Sequence, residues 1–390
     1  MKNAKQIIVL GLISLCIGSI HSNEIHPTNK KALSTMVLPS DINPSENFVK
    51  IALLLDTSNS MDGLINQAKA QLWDIVNKFS YVRCGNSKRP KLQIAIYEYG
   101  NDNLSSREGY IRQVIDFSSD LDEISEKLFS LTTNGGEEYC GQVIQTSLKQ
   151  LKWGKNPDNL KMIFIAGNEP FSQGKLNYKD AVTNAKEKDV IVNTIFCGNY
   201  QQGVSSNWKN GAVLANGEYM AINHNKQIVY IDTPYDDVII QLNSKLNKTY
   251  VSYGALGVSK MKKQATQDTN AMELEEVVAI KRTVSKSSRL YSNSSWDLVD
   301  ASKDKNFTFS KIKKEQLPET LRNKSTAEIK AYVAKKSAKR IAIQKEIQEL
   351  NTKREAFIAK NQKENTKGEL ENAMLQAIMK QAKKKNYTWK

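Results

Sequence analysis

A short segment that follows an apolar run carries three oxygen-bearing side chains at alternate positions. The sequence "IALLLDTSNSMDG" places Asp56, Ser58 and Ser60 two residues apart, directly after the apolar residues 51–55. One carboxylate and two hydroxyls suit a hard cation such as Mg²⁺, which prefers octahedral geometry and keeps some of its waters. Soft ligands are absent from the segment, which argues against zinc or copper. The alternative is that these residues only cap the following helix, because Asp and Ser are favoured caps.

The apolar pattern around this motif predicts a sheet of alternating strands and helices. Strand-length apolar runs alternate with helical patterns, which is typical of a mostly parallel sheet covered by helices on both faces. The predicted strands are 49–55, 92–97, 111–117, 160–166, 190–196 and 218–222, and the predicted helices are 63–82, 121–131, 141–151, 178–186 and 235–246. The connection 99–110 is short and polar, so the pair that it joins is expected to be an antiparallel hairpin at one edge. The predicted fold class is therefore α/β, a doubly wound sheet, followed by a C-terminal α-helical region.

In open α/β sheets, ligands bind at the carboxyl ends of the strands, near helix N-termini. The motif lies at such a point, and its setting resembles the von Willebrand factor type A domain with its metal-ion-dependent adhesion site. The resemblance covers roughly residues 47–257. In that family a D-x-S-x-S motif lies at the end of the first strand, and here Asp56, Ser58 and Ser60 occupy this position.

The resemblance implies two further loops. A second loop supplies a Thr, or an acid in some bacterial members, near a Gly pair; here it reads "LTTNGGEEYCG". Its candidate ligands are Thr132, Thr133 and Glu137, and the sequence does not choose between them. A third loop usually supplies an Asp, but "KMIFIAGNEPF" has Asn168 at that position, with Glu169 beside it. This departure removes one negative charge from the site.

The resemblance also implies a function. In this family the ion keeps an open coordination position, which a partner's Asp or Glu carboxylate fills. We therefore expect a binding protein that engages a carboxylate-bearing protein through a divalent cation, with Mg²⁺ first and Mn²⁺ or Ca²⁺ as alternatives. Asp102, in the loop "EYGNDNLSSREGY", either supports the metal loops or is a turn residue.

Two other functions compete with this one. The first is a structural protein with a degenerate metal site that acts through its basic helical tail, and the second is a metal-dependent hydrolase. A haloacid-type phosphatase needs a second acid two residues after its Asp, where this chain has Ser58. The sequence contains no G-x-S-x-G elbow or P-loop, and its histidines, His21, His26 and His224, lie in the export segment or in polar stretches. We therefore expect no enzyme.

The first residues are typical of an export signal. Lys2 and Lys5 precede the short apolar run 7–20, and small residues follow it. The prediction is a signal peptide at 1–22, a linker at 23–46, and a periplasmic or secreted protein. Lipid attachment at Cys16 is disfavoured, because the preceding Leu15 is too bulky for the usual lipobox.

Export makes disulfides a chemical option. Cys84, Cys140 and Cys197 remain after the export segment, so at most one internal bridge forms. Cys140 and Cys197 are both near the carboxyl ends of predicted strands, whereas Cys84 follows the first helix at the opposite end. A bridge between Cys140 and Cys197 is therefore the favoured pairing, with three buried thiols as the alternative.

The C-terminal third carries almost all of the excess charge. Residues 257–390 hold 30 Lys and Arg against 16 Asp and Glu, which is +14 of the chain's formal +15. We expect a loosely ordered linker at 258–318 and a basic helical hairpin, coiled-coil-like, at 319–390, where Lys336 and Arg340 interrupt the apolar repeat. The ending "KQAKKKNYTWK" surrounds Tyr387 and Trp389 with lysines, which favours contact with an anionic surface rather than with nucleic acid in an exported protein. Residues 47–257 are expected to fold alone.

Overall fold

The structure is a computed structural model that describes residues 46–85, 89–223, 230–361 and 369–389, with side-chain detail for all of these except 369–373. The predicted signal peptide at 1–22 and nearly all of the linker at 23–46 lie outside the described residues. From Glu46 onward the described chain forms one compact unit.

The strands of the described chain form one large mixed sheet and one small antiparallel pair. The bounds are β1 Phe48–Asp56, β2 Val82–Cys84, β3 Lys91–Tyr99, β4 Ile111–Ser118, β5 Leu160–Gly167, β6 Ile191–Cys197, β7 Tyr219–Ile222 and β8 Tyr387–Trp389. The large sheet has the order β4-β3-β1-β5-β6-β7, and β2 pairs with β8. All neighbours in the large sheet are parallel except β3 and β4, so the predicted antiparallel hairpin at one edge is confirmed.

Helices connect the strands and continue beyond them. Their bounds are α1 Asp62–Ser80, α2 Leu121–Phe129, α3 Cys140–Gln150, α4 Tyr178–Glu187, α5 Tyr200–Ser205, α6 Trp208–Leu214, α7 Asp236–Asn247, α8 Gly257–Leu274, α9 Glu276–Lys286, α10 Leu298–Ala301, α11 Glu319–Arg322, α12 Thr326–Asn361 and α13 Glu369–Lys384. The strands and helices predicted before residue 250 all occur, with ends that differ by no more than a few residues. The predicted α/β class with a C-terminal helical region is confirmed.

The sheet separates two apolar cores. Leu53, Leu55 and Phe164 face the first core, which α1, α2 and several C-terminal helices cover. The second core lies on the opposite face, where Leu54 and Ile165 pack against α3 and α4. Strand β1 lies in the centre of the sheet and is buried on both faces, which explains its almost continuous apolar sequence.

The segment 258–318, predicted to be loosely ordered, is instead largely helical and packed on the domain. Helix α8 presents few apolar residues, so periodicity gave no signal there; α9 buries Val277, Val278 and Val284 in the first core, and buried ion pairs also hold both helices. Arg282 donates to Asp122 on α2 (2.8 Å) and to Asp268 on α8 (2.7 Å). Lys286, fully buried, pairs with the same Asp268 (2.7 Å). Buried polar residues thus contribute to this contact together with the apolar residues of α9, and the hydropathy pattern did not reveal the polar part.

Helix α12 is a single long helix. The two residues that interrupt its apolar repeat, Lys336 and Arg340, contact the domain. Lys336 donates to the carbonyl of Lys248 (2.7 Å). Arg340 is buried and pairs with Asp297 (2.6 Å) and Asp300 (3.0 Å). The interruption therefore marks an ionic contact with the domain rather than a defect in a coiled coil.

The C-terminal residues return to the sheet. On α13, Met374 and Ile378 are buried in the first core, and Gln381 exchanges hydrogen bonds with Asn193 of β6. Strand β8 then pairs with β2, and Tyr387, which is buried, donates to the carbonyl of Asp158 (2.9 Å). The terminal aromatic residues, expected at an anionic surface, are packed against the domain.

This packing argues against residues 47–257 as a self-sufficient unit, because helices from both halves cover the first core. Among the described residues, no helix combines the length and apolar character that a membrane span needs.

Candidate metal centre

The three predicted loops meet at the carboxyl edge of the parallel strands. Asp56 ends β1 and pairs in register with Tyr99 of β3, while Leu55 pairs with Ala166 of β5. The hydroxyl of Tyr99 donates to the carbonyl of Ala166 (2.8 Å), which ties the strands together beneath the loops. The loops after β1, before α3 and after β5 therefore lie around one point, as the sequence predicted.

Asp56 occupies the centre of this group. Its side chain is fully buried, and Oδ1 accepts the backbone N–H of Ser58 (2.8 Å). Within the described part of the chain, Oδ2 has no hydrogen-bond partner. Burial raises the pKa of Asp56 to about 6, the Ser58 hydrogen bonds and the backbone N–H of Asn168 oppose this rise, and the negative charge of Glu169 adds to it. An unsatisfied buried oxygen of this kind indicates a missing positive partner.

Glu138 is the acid that the second loop turns toward Asp56. It is only 7% exposed, and a Cβ added to Gly100 would lie 2.6 Å from its Cγ and 3.0 Å from Asp56 Oδ1. Burial raises the pKa of Glu138 to about 8, followed by repulsion from Asp56 and Glu169. The Ser58 hydroxyl lowers the pKa of both carboxyls.

The sequence interpretation missed Glu138 and named its neighbour Glu137. Glu138 and Cys140, the first residue of α3, are both buried, while Glu137 faces outward. Glu137 is exposed and accepts a hydrogen bond from Gln173 (2.9 Å). The burial of Cys140 was the signal that could have identified the inner acid.

The two threonines of the second loop have other partners. Thr133 donates to Asp62 in the first turn of α1 (2.6 Å). Thr132 is exposed, and its carbonyl accepts the amide of Asn101 (2.9 Å). The structure thus uses both residues to fix the loop to its neighbours.

Ser60 and Asn168 are brought together at the rim. The amide of Asn168 donates to the Ser60 hydroxyl (3.2 Å), which leaves the Asn168 carbonyl oxygen available to a cation. Glu169 is exposed, and its backbone carbonyl accepts the indole N–H of Trp208 (2.8 Å), so the third loop is anchored to α6. Its charge nevertheless acts on Asp56 and Glu138.

Close backbone contacts hold the second loop in place. A Cβ on Gly136 would lie 2.7 Å from the carbonyl oxygen of Gly100, which leaves room only for glycine. Asp102 is exposed, and its N–H donates to the carbonyl of Gly135 (2.5 Å). The backbone of Asp102, rather than its carboxylate, therefore supports the metal loops.

The predicted disulfide is absent. Cys140 and Cys197 are both buried free thiols. Cys140 belongs to the second core and Cys197 to the first, so the sheet lies between the side chains. The sequence correctly placed both cysteines at the carboxyl edge of the sheet, but their side chains lie on opposite faces, which prevents a bridge.

These residues fit a hard divalent cation. All of the side chains at the centre offer oxygen, and the buried Asp56 Oδ2 has no other partner among the described residues. No group of three or more His, Cys, Asp and Glu suited to a metal occurs among the described residues. A centre in which serine hydroxyls supply part of the oxygen set does not require such a group.

The sequence profile of the von Willebrand factor type A domain matches residues 50–210. No curated protein sequence matches the chain.

Several solved structures are similar over less than half of this chain. The conserved hypothetical protein BatB from Bacteroides thetaiotaomicron is 13% identical, with a TM-score of 0.34, and the match covers 45% of this chain and 90% of BatB. Proximal thread matrix protein 1 from the mussel byssus, described with a zinc-occupied MIDAS motif, is 14% identical, with a TM-score of 0.35 and coverage of 46% and 43%. The pilus adhesin SpaC from Lactobacillus rhamnosus GG is 13% identical, with a TM-score of 0.34 and coverage of 46% and 28%.

The profile match begins within β1 and ends within α6, so it includes all three loops of the candidate metal centre. The chain therefore contains a von Willebrand factor type A domain, at residues 50–210.

Proposed function

We propose that this protein is an exported binding protein that engages a carboxylate-bearing protein partner through a divalent cation held at the edge of the sheet. The observation that carries the proposal is Asp56, a buried carboxylate whose Oδ2 lacks a partner among the described residues and which lies beside Ser58 and Glu138. The bound cation would supply an open coordination position for a carboxylate of the partner. Mg²⁺ is the first candidate, because the set is all oxygen.

The residues that would hold the cation are Asp56, Ser58, Ser60, Asn168 and Glu138. The inner acid would compensate for the charge lost by having Asn at the third loop. At neutral pH the cation would displace the proton that burial and repulsion keep on Glu138. Binding rather than catalysis is proposed, because residues 50–210 match the von Willebrand factor type A domain, in which a site of this kind holds a cation for a partner's carboxylate.

Calorimetric titration with MgCl₂ and MnCl₂ tests the cation site. Asp56→Ala should abolish binding, whereas Asp237→Ala, which removes an exposed acid on α7, should leave it unchanged. Absence of binding by the wild type would instead favour the structural protein with a degenerate site.

The choice of acid is tested by two neighbouring substitutions. Glu138→Gln should weaken cation binding strongly, and Glu137→Gln, with the same change of charge one residue away, should leave it nearly unchanged. The opposite order would show that the loop rearranges when the cation binds.

The partner is tested by capture from an extract of the source cell envelope. A specific partner should be retained with Mg²⁺, released by a chelator, and not retained by Asp56→Ala. Retention that survives the chelator would contradict a cation-mediated contact. Export is a separate part of the proposal, and cleavage after the predicted segment 1–22, read by N-terminal sequencing of the mature protein, tests it.

A further inference from the structure

Exposed apolar side chains at the start of α8 form an unusual surface. Leu256 is 62% exposed and Val258 is 73% exposed, and Met261, one helical turn after Val258, is 38% exposed. Residues three apart on a helix share a face, so Val258 and Met261 point the same way. Exposed apolar groups that cluster in this manner commonly mark an interaction surface.

A basic loop lies against this apolar segment. The backbone N–H of Gly254 donates to the carbonyl of Gln316 (3.0 Å), which places the turn before α8 beside residues 311–316. Lys311, Lys313 and Lys314 in this loop are exposed, and none of them has an ion pair within the described ranges. The surrounding residues 303–339 hold eleven Lys and Arg against four Asp and Glu, of which Lys303 pairs with Asp300 and Lys324 with Glu328.

The lysines of α8 contrast with those of the loop. Lys260 pairs with Asp120 (2.7 Å) and Lys263 pairs with Glu126 (2.5 Å), so both serve to attach α8 to α2. Lys260 and Lys263 thus form ion pairs within the described chain, whereas the three lysines of the loop do not. The unpaired charge is available to a partner outside the chain.

The position of this surface is opposite to that of the metal centre. Asp120 follows β4, whose last residue, Ser118, pairs with Ile94 near the beginning of β3. The contact between Lys260 and Asp120 therefore places the start of α8 beside the amino-terminal edge of the parallel strands. The metal centre lies at the carboxyl-terminal edge, beyond Asp56.

We propose that Leu256, Val258 and Met261, together with Lys311, Lys313 and Lys314, form a docking face for an anionic phospholipid membrane. Apolar side chains enter the boundary between headgroups and acyl chains, and lysines attract the anionic headgroups. The combination favours a membrane over a soluble polyanion, because a polyanion would use the lysines but would leave the apolar residues in water. Docking by this face would direct the metal centre away from the bilayer, toward a partner.

Vesicle flotation of the full chain tests the proposal. The wild type should float with vesicles of phosphatidylcholine and phosphatidylglycerol and remain at the bottom with phosphatidylcholine alone. Lys311→Glu/Lys313→Glu/Lys314→Glu should reduce partitioning by roughly 100-fold or more, from the contribution of each lysine near an anionic surface. Leu256→Ser/Val258→Ser should also reduce flotation, although it changes no charge.

A matched control separates this face from net charge. Lys175→Glu/Lys179→Glu/Lys209→Glu makes the same change of charge on exposed residues near the carboxyl edge of the sheet, and it should float like the wild type. Thermal unfolding of each variant should match the wild type, and Lys311→Gln/Lys313→Gln/Lys314→Gln provides a milder alternative if the triple Glu variant unfolds.

Three results would overturn the proposal. They are absence of flotation with anionic vesicles, equal loss in the control variant, and full retention of flotation by Leu256→Ser/Val258→Ser. The last, combined with displacement by soluble polyphosphate, would identify a polyanion site instead. None of these outcomes depends on the cation, so flotation in the presence of a chelator keeps this proposal separate from the proposed function.

Discussion

Arg340 of α12 is the residue whose removal should most directly show that the C-terminal helices are part of the domain. Its guanidinium donates to Asp297 (2.6 and 3.2 Å) and to Asp300 (3.0 Å), and it lies 4.0 Å from the centre of the Tyr250 ring. The hydroxyl and carbonyl of Thr249 accept its remaining hydrogen bonds (3.0 and 2.9 Å).

Arg340→Ala should destabilise the protein by about 3–5 kcal/mol, the usual result of removing one partner of a buried ion pair. Asp297 is fully buried and Asp300 is 6% exposed, so water cannot easily solvate the two carboxylates after they lose their cationic partner. The loss should not greatly exceed this range, because Asp297 still accepts the backbone N–H groups of Val251 (2.7 Å) and Asp300 (2.9 Å). A loss of this size is a large part of the 5–15 kcal/mol that is typical of folded domains.

Equilibrium unfolding in urea, followed by tryptophan fluorescence and by circular dichroism, measures the effect. Lys339→Ala, one residue away and exposed, is the control and should change stability by about 0.5 kcal/mol or less. Arg340→Met should remain destabilised, since the acids stay buried, and Arg340→Met/Asp297→Asn should recover part of the loss. A change below about 1 kcal/mol in Arg340→Ala, the size expected of an exposed pair, would refute the buried network.

Three further predictions concern the metal centre and the domain limits. In the metal-free protein, burial raises the pKa of Glu138 to about 8 and that of Asp56 to about 6, so the folded state holds protons that the unfolded state releases. Stability should therefore fall as pH rises from about 4.5 to 8, and Glu138→Gln should flatten this dependence in thermal unfolding with a chelator. Asn168→Asp should tighten Mg²⁺ binding in calorimetry, because it adds a charge at an oxygen-ligand position; unchanged or weaker affinity would place Asn168 outside the coordination shell. Truncation after Gly257 removes helices that cover the first core, so the product should bind a hydrophobic dye and unfold without a cooperative transition. A truncated product that folds cooperatively would instead show that residues 47–257 fold alone.

Local sequence patterns were sufficient for the sheet and for the position of the motif. Strands β1, β3, β5, β6 and β7 are apolar runs bounded by polar residues, whereas β4 alternates apolar and polar residues, and the short, polar 99–110 connection identified the antiparallel edge. These features are local, because alternation and capping depend on neighbours in the chain. The motif could be placed at the carboxyl edge for the same reason, since Asp56 directly follows a strand that had to be central.

Tertiary structure decided which side chains meet. Glu137 and Glu138 are identical in type, and only the direction of the loop, fixed by backbone contact between Gly136 and Gly100, determines which of them faces Asp56. Cys140 and Cys197 lie at the same edge of the sheet but on opposite faces, and the spacing of residues in the sequence does not show this.

The C-terminal third depended most on tertiary structure. Its helices bury apolar residues such as Val278, Ile347 and Ile378 in the first core. They also attach through buried ion pairs of Arg282, Lys286 and Arg340, whose charged side chains a hydropathy pattern assigns to solvent. A charged residue that is buried becomes recognisable only when its partner is known, and these partners lie up to 160 positions away in the chain. Apolar periodicity reports burial by the hydrophobic effect alone, so the sequence by itself determined the sheet and its metal motif, and the fold decided the inner acid and the docking of the helices.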